Sequence, residues 1–173
     1  MLGAVEDLAA EGFEVNTHGC RQMTEGLEVL AARARAHSLP TTVVVALGAN
    51  WTVTSDQIRH ALMILGRERV LGLVTPRELG GAVTSDQANM RAAGRRWPRR
   101  VKVLDWVRYS SGHDSWFGGD GLHLGPDGAR GFARLLERAF DWPIPSLTTT
   151  WTAEPRAPAA ESLSALSAPP AAF

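Results

Sequence analysis

The sequence predicts an α/β fold in which a parallel sheet lies between two layers of helices. Short apolar segments alternate with helical segments four times, and the connections between them are brief. The segment at 42–47 is a nearly continuous apolar, β-branched run, which is typical of a strand buried on both faces rather than on one. These observations favour helices on both sides of the sheet.

The first half of the chain opens on a helix, with no strand before it. Residues 2–10 favour a short helix that Gly12 ends, and 13–17 has the composition of a short strand. Apolar residues recur at helical spacing over 23–37, which predicts the second helix. The buried strand at 42–47 follows it.

The second half repeats the alternation of helices and strands. In chain order, the predicted elements are a helix at 54–65, a strand at 69–74, a helix at 85–96, a strand at 101–104 and a helix at 126–140. Thr54 or Ser55 can cap the first of these helices, and Pro126 suits the first turn of the last. The stretch at 110–124 is predicted to be long and irregular.

The domain is expected to cover residues 1–140. Beyond it, the composition changes: 141–173 holds six of the ten prolines, many Ala, Ser and Thr residues, and few charges. A segment of this kind, without a sustained apolar period, is predicted to be a flexible, disordered tail.

Composition excludes several classes of protein. The 173 residues carry 18 basic and 18 acidic side chains, so the net charge of zero gives no signature of nucleic-acid or anionic-membrane binding. A single cysteine excludes an internal disulfide framework and a cysteine-cluster metal site. No apolar run is long enough to span a bilayer, and the acidic start is unlike a signal peptide. The compartment stays open: cytoplasmic for this chain alone, extracytoplasmic if a longer protein is exported.

Three loops are expected to meet in one crevice, because ligands of open parallel sheets bind beyond the carboxyl ends of the strands. The most informative of them ends in Asp120 and His123, within a glycine-rich turn. A carboxylate three residues before a histidine can hold one ring nitrogen while the other acts as a general base. The alternative is that Asp120 is a turn residue and His123 a packing residue.

The other two loops hold candidate donors for an oxyanion. Asn50 follows the strand at 42–47, and Gly19 offers a backbone N–H after the strand at 13–17. Asn50 can equally cap the following turn. Three weaker candidates are a Cys20–His123 pair, a His113–Asp114 pair, and an arginine cluster at 95–100 that could contact an anionic polymer; packing or a solvated surface explains each of them as well.

Taken together, these segments resemble the SGNH hydrolases, the GDSL-type serine esterases and acyltransferases. Residues 43–50 look like the family's strand leading to G-x-N, and 104–106 resembles its Asp-Trp pair. Residues 120–124, followed by Pro126 and Gly-Ala at 128–129, look like its D-G-x-H-L…G-A block. The resemblance covers 1–140 in order and is closest to the extracytoplasmic domains of bacterial peptidoglycan and polysaccharide O-acetyltransferases.

The resemblance implies a three-layer α/β/α, flavodoxin-like sheet and a set of site residues. His123 would be the catalytic base, Asp120 its orienting acid, and Asn50 and Gly19 the oxyanion donors. Some family members carry a G-R-Q run in the loop after their second strand. In this chain Cys20 interrupts that run. No metal and no organic cofactor is implied.

One departure from the family concerns the nucleophile. Family members open with a strand leading to G-D-S, and the alignment places that serine two residues before Met1, with the first strand also upstream. Two interpretations remain open: an internal methionine of the motif has been taken as the start, or the chain is a remnant that has lost catalysis. The first is favoured because the acid, base and oxyanion residues are all present.

The expected function is therefore that of an SGNH-type serine hydrolase or O-acyltransferase. Its substrates would be acyl esters, above all acetyl esters of carbohydrate or cell-wall polymer, with no nucleic-acid partner and with a membrane acyltransferase region upstream in the complete protein. Without its serine, the 173-residue chain is predicted to be inactive. The alternatives are a non-catalytic glycan-binding module and an inactive fragment.

Overall fold

The computed structural model describes residues 2–77 and 84–140, with three parallel strands flanked by helices. The strands are β1 (Thr42–Val45), β2 (Val70–Val74) and β3 (Val101–Leu104). The helices are α1 (Val5–Ala10), α2 (Met23–Arg35), α3 (Ser55–Leu65), α4 (Thr84–Arg96), α5 (Trp106–Tyr109) and α6 (Pro126–Phe140). Leu2–Ala4 and Asp114–Trp116 form 3-10 turns. The predicted tail at 141–173 lies outside the described residues.

The sheet has the order β1-β2-β3, and both pairs of strands are parallel. Val45 pairs with Leu73, and Val74 pairs with Leu104. β2 is central and almost wholly buried, as its continuous apolar pattern predicts. The predicted strands at 42–47, 69–74 and 101–104 are therefore confirmed. The first two are slightly shorter than predicted, and the third has the predicted length.

Two hydrophobic cores cover the two faces of the sheet, so the three-layer architecture is confirmed. On one face, Leu71 and Leu73 pack with buried side chains of α2, α3 and α4. On the other, Val74 and Leu104 pack with Leu8 of α1 and with buried side chains of α6. Alternate residues of each strand point to opposite faces, and this alternation divides the apolar side chains between the two cores.

The helix boundaries follow local signals in the sequence. Thr54 caps α3 by accepting the Gln57 N–H at 3.2 Å, as predicted. Gly12, at φ 82°, follows α1, and the Gly12 N–H donates to the Ala9 carbonyl at 3.0 Å. Within the described ranges, no helix combines the length and the apolar character needed to cross a bilayer.

The predicted strand at 13–17 is wrong in one respect: the segment is extended but joins no ladder. Its side chains alternate between half-buried and exposed, as in a strand. A cavity of about 270 Å³, with mostly apolar walls, is lined by this segment and by β1, with α2 and the side chains of Leu8 and Leu136 completing the lining. We call this cavity the edge slot. Because it lies between the two backbones, they do not pair, and β2 is the one partner strand of β1 in the described part of the chain.

The predicted irregular stretch at 110–124 contains more structure than its sequence indicates. A 3-10 turn at Asp114–Trp116 places Trp116 against Trp106, with ring centroids 5.8 Å apart. Gly131 of α6 permits this contact, since a Cβ there would lie 2.6 Å from the Trp116 ring. Gly128 likewise lies directly beneath the Trp116 carbonyl. The two glycines let α6 support the loop that follows Trp116.

Candidate active site

Residues 117–124 form a tight loop at the carboxyl edge of the sheet. Phe117 and Leu124 join in an isolated antiparallel bridge. Inside it, the Gly118 N–H donates to the His123 carbonyl at 2.7 Å, and the Gly121 N–H donates to the Gly118 carbonyl at 2.9 Å. Gly121 adopts φ 67°, a conformation that glycine reaches without strain. The glycines thus allow the turn that presents Asp120 and His123.

Asp120 and His123 interact directly. The Oδ2 atom of Asp120 bonds Nδ1 of His123, and its Oδ1 atom accepts the backbone N–H groups of Leu122 at 2.9 Å and His123 at 3.0 Å. The imidazole hydrogen bond, followed by the two backbone donors, lowers the pKa of the Asp120 carboxyl below its ordinary value. Asp120 is therefore ionised at neutral pH.

The pairing determines which nitrogen of the imidazole is available. An ionised carboxylate can only accept, so Nδ1 of His123 carries the proton of the neutral ring and Nε2 has a free lone pair. The His123 side chain is 81% exposed, against 41% for Asp120. The pair thus presents an exposed proton acceptor, with a negative charge behind it that stabilises the protonated ring.

Asn50 lies on the loop between β1 and α3, and its residue is exposed. Gly48, in the same loop, adopts φ 120° and lies close to Pro76. Thr54, rather than Asn50, caps the helix that follows. No hydrogen bond within the described residues holds the Asn50 side chain, so its amide is free to donate to a ligand.

The Asn50 and His123 loops border one cavity of about 80 Å³, which we call the site cavity. Ala49, beside Asn50, lines it together with Leu122 and Leu124, the neighbours of His123. The 3-10 turn at Leu2–Ala4 packs against Leu124, one of the lining residues. A Cβ on Gly3 would lie 3.1 Å from the Leu124 carbonyl oxygen. The start of the described chain therefore lies next to the Asp120–His123 loop.

The structure does not bring Gly19 to this cavity. Arg21 closes the turn around Gly19 by donating to the Asn16 carbonyl at 3.0 Å and to its Oδ1 at 2.9 Å, while Cys20 adopts φ 56°. Gly19 is exposed and lines neither the edge slot nor the site cavity. Of the three loops expected in one crevice, two border the site cavity.

The weaker candidates have other partners. The His113 ring stacks on Trp116 at 4.1 Å, and Asp114 pairs with Arg77 at 3.5 Å, so each has a neighbour of its own. Arg100, from the arginine cluster, donates to the carbonyl oxygens of Arg69 and Leu62 at 3.0 and 3.3 Å. In the described ranges, no group of three or more His, Cys, Asp or Glu side chains is placed to hold a metal ion.

Sequence reasoning missed the network around Asp105 at the end of β3. Its Oδ1 accepts the Thr75 hydroxyl at 3.1 Å, and its Oδ2 forms an ion pair with Arg91 at 2.9 Å. Burial alone would raise the pKa of Asp105, but the hydrogen bonds from Arg91 and the Arg108 N–H hold it below its ordinary value. The network caps α5, whose first residue, Trp106, lines the site cavity. The sequence signal that could have revealed this network is an Asp at the N-cap position of a helix.

Comparison with curated proteins finds O-acetyltransferases. A stretch of 124 residues, 70% of this chain, is 26% identical to the O-acetyltransferase OatA of Staphylococcus aureus. A stretch of 118 residues, 67% of the chain, is 30% identical to the peptidoglycan O-acetyltransferase OatA of Listeria monocytogenes. The chain spans 20% and 18% of the lengths of these two proteins. A scan against protein-family models finds no match.

A solved structure shares the fold. The C-terminal catalytic domain of Streptococcus pneumoniae peptidoglycan O-acetyltransferase A, with a methylsulfonyl adduct, superimposes with a TM-score of 0.70 at 24% identity. The match covers 81% of this chain and 87% of that one. The chain therefore shares the α/β fold of that catalytic domain, and its sequence resembles a segment of the OatA-type O-acetyltransferases.

Proposed function

We propose that this chain is part of an SGNH-type serine O-acyltransferase or esterase that acts on acetyl esters of cell-wall carbohydrate. The observation that carries the proposal is the Asp120–His123 pair, whose neighbours Leu122 and Leu124 in the same loop line the site cavity. The similarity to the O-acetyltransferases of Staphylococcus aureus and Listeria monocytogenes supports the same chemistry. A membrane acyltransferase region elsewhere in the complete protein would supply the acetyl group.

The nucleophile in this proposal is a serine upstream of Met1. Two features support that placement. Gly3 lies against Leu124, so the start of the described chain is next to the loop that carries His123. The edge slot, with its apolar lining and the outer edge of β1, offers an extended segment both backbone partners and a buried environment. A strand in the slot that runs parallel to β1 would end at the carboxyl edge of the sheet, where the site cavity lies.

The proposed mechanism uses the proton position derived above. As the serine Oγ attacks the acyl carbonyl, Nε2 of His123 takes the serine proton and Asp120 stabilises the imidazolium. The Asn50 amide would stabilise the oxyanion of the tetrahedral intermediate. Collapse breaks the ester bond, and the leaving alcohol takes the proton from Nε2. Water or a sugar hydroxyl then attacks the acyl-enzyme by the reverse of these steps.

The size of the site cavity favours a small acyl group. Its volume of about 80 Å³ is well below the ~300–1,000 Å³ of pockets that enclose drug-sized ligands. An acetyl group needs little space, whereas the exposed His123 ring leaves the solvent side open to a bulky carbohydrate. The combination supports an acetyl ester of a polymer as the substrate class.

Ester hydrolysis by two forms of the protein tests the proposal. We expect the 173-residue chain to release p-nitrophenol from p-nitrophenyl acetate at the background rate. The chain extended by its in-frame upstream sequence should turn the ester over, and replacement of the upstream serine by alanine should abolish that turnover. Hydrolysis by the 173-residue chain that His123→Ala abolishes would place the nucleophile inside it. Saturable binding of an acetylated glycan by the extended protein, without turnover, would instead indicate a binding module.

A further inference from the structure

Asp86 is a buried carboxylate that the proposed mechanism does not use. It lies in the first turn of α4, and none of its surface is exposed. Its Oδ2 atom accepts the backbone N–H of Val53 at 2.8 Å, and the Ser85 hydroxyl donates to its Oδ1 at 3.3 Å. Within the described residues, no Lys, Arg or His pairs with it. This is an unusual environment for an acidic side chain.

The same carboxylate reaches both ends of the loop that carries Asn50. At the far end it holds the Val53 N–H. At the near end its Oδ2 atom lies 3.3 Å from the position that a Cβ on Gly48 would occupy. Residues 48–53 therefore arch over Asp86, with Asn50 on the exposed side of the arch.

Asn89, one turn further along α4, completes the contact with Val53. Its Nδ2 donates to the Val53 carbonyl at 3.0 Å, and its Oδ1 accepts the Ser55 hydroxyl at 3.0 Å. Asp86 and Asn89 thus satisfy both backbone groups of Val53, a residue that is fully buried. A loop with both backbone groups of one residue held in this way has little freedom to shift.

Burial of Asp86 opposes folding at neutral pH. Burial raises the pKa of its carboxyl above the ordinary value, and the Val53 hydrogen bond offsets this only in part. A buried acid without a cation stabilises the fold less than an apolar residue of similar size. Such groups occur most often where function requires them.

We propose that Asp86 and Asn89 are positioning residues that hold the 48–53 loop so that Asn50 faces the site cavity. The inference rests on the oxyanion role proposed for Asn50. We call the two hydrogen bonds that Asp86 and Asn89 form with the Val53 backbone the clamp. Both join described residues, and neither depends on the role of Asn50.

Backbone hydrogen exchange of the 173-residue chain tests the clamp without any enzymatic activity. In Asp86→Ala, the Val53 amide should exchange about tenfold faster or more, while the Leu71 amide in β2 keeps its rate. Asp86→Asn retains an acceptor for the Val53 N–H and should restore most of the protection. Ser85→Ala is the matched control and should leave Val53 unchanged. If Asp86→Ala does not fold, Asn89→Ala should still show a local effect at Val53.

Kinetics of the extended protein test the positioning role. Asp86→Ala should lower kcat about tenfold with little change in KM. The double variant that combines it with Asn50→Ala should have the same kcat as Asn50→Ala alone. Two results for Asp86→Ala would overturn the inference: equal acceleration of exchange at Val53 and Leu71, or an unchanged kcat. If Asn50→Ala leaves kcat unchanged while the local exchange effect persists, the clamp is real and the oxyanion role of Asn50 is wrong. If the unmutated extended protein shows no turnover, the proposed function fails independently of the exchange result.

Discussion

Replacing His123 by alanine in the extended protein should lower kcat for p-nitrophenyl acetate by about 10⁴-fold or more. On a loop that borders the site cavity, the His123 imidazole combines a nitrogen that can accept a proton with the Asp120 carboxylate behind the ring. Without it, the serine hydroxyl keeps its proton and attacks slowly.

His113→Ala is the matched control for this change. His113 belongs to the neighbouring loop and stacks on Trp116, so its loss should change kcat by less than about threefold. Initial rates over a range of ester concentrations separate kcat from KM for both variants. A fall of less than tenfold in His123→Ala would exclude the ring as the general base.

Asp120→Asn should be nearly as damaging, with kcat reduced about 10³–10⁴-fold. Two backbone N–H groups point at Oδ1 of Asp120, so the carbonyl oxygen of an asparagine would occupy that place. Its NH₂ group would then face Nδ1 of His123 and donate to it. The ring proton would move to Nε2, and the base would lose its free lone pair.

The tautomer of His123 can be measured directly. Nitrogen NMR shifts of the imidazole, recorded on the 173-residue chain, should show the proton on Nδ1 in the unmutated protein and on Nε2 in Asp120→Asn. Asp127→Asn serves as the control, because Asp127 is exposed on α6 and pairs with Arg130. An unchanged tautomer together with full activity would contradict the role assigned to Asp120.

The sequence predicted those elements whose signals are local. β2 carries a continuous apolar run, and α3 carries both its capping residue and its apolar stripe, so each could be located without its neighbours. The segment at 13–17 also has a strand-like alternation, but a strand exists only when another backbone pairs with it. The edge slot separates it from β1, and no pattern within the segment reports that separation.

The same distinction applies to the site. Asp120 and His123 are three residues apart in one loop, so their contact was predictable from spacing and glycine content. The contact between Asp86 and Val53 joins residues 33 positions apart, and α4 approaches the Asn50 loop only through the tertiary fold. The polar start of α4 resembles any solvated helix N-terminus, so no local pattern indicates that Asp86 is buried.

The position of the acetyl group on the extended protein would identify the nucleophile directly. The protein is mixed with p-nitrophenyl acetate, quenched with acid within the first turnovers, and mapped by peptide mass spectrometry. We expect one acetyl group, carried by a serine upstream of Met1, and no acetyl group at that serine in His123→Ala. Acetylation of Cys20, or of any residue within the chain that is lost in His123→Ala, would contradict the assignment of the nucleophile.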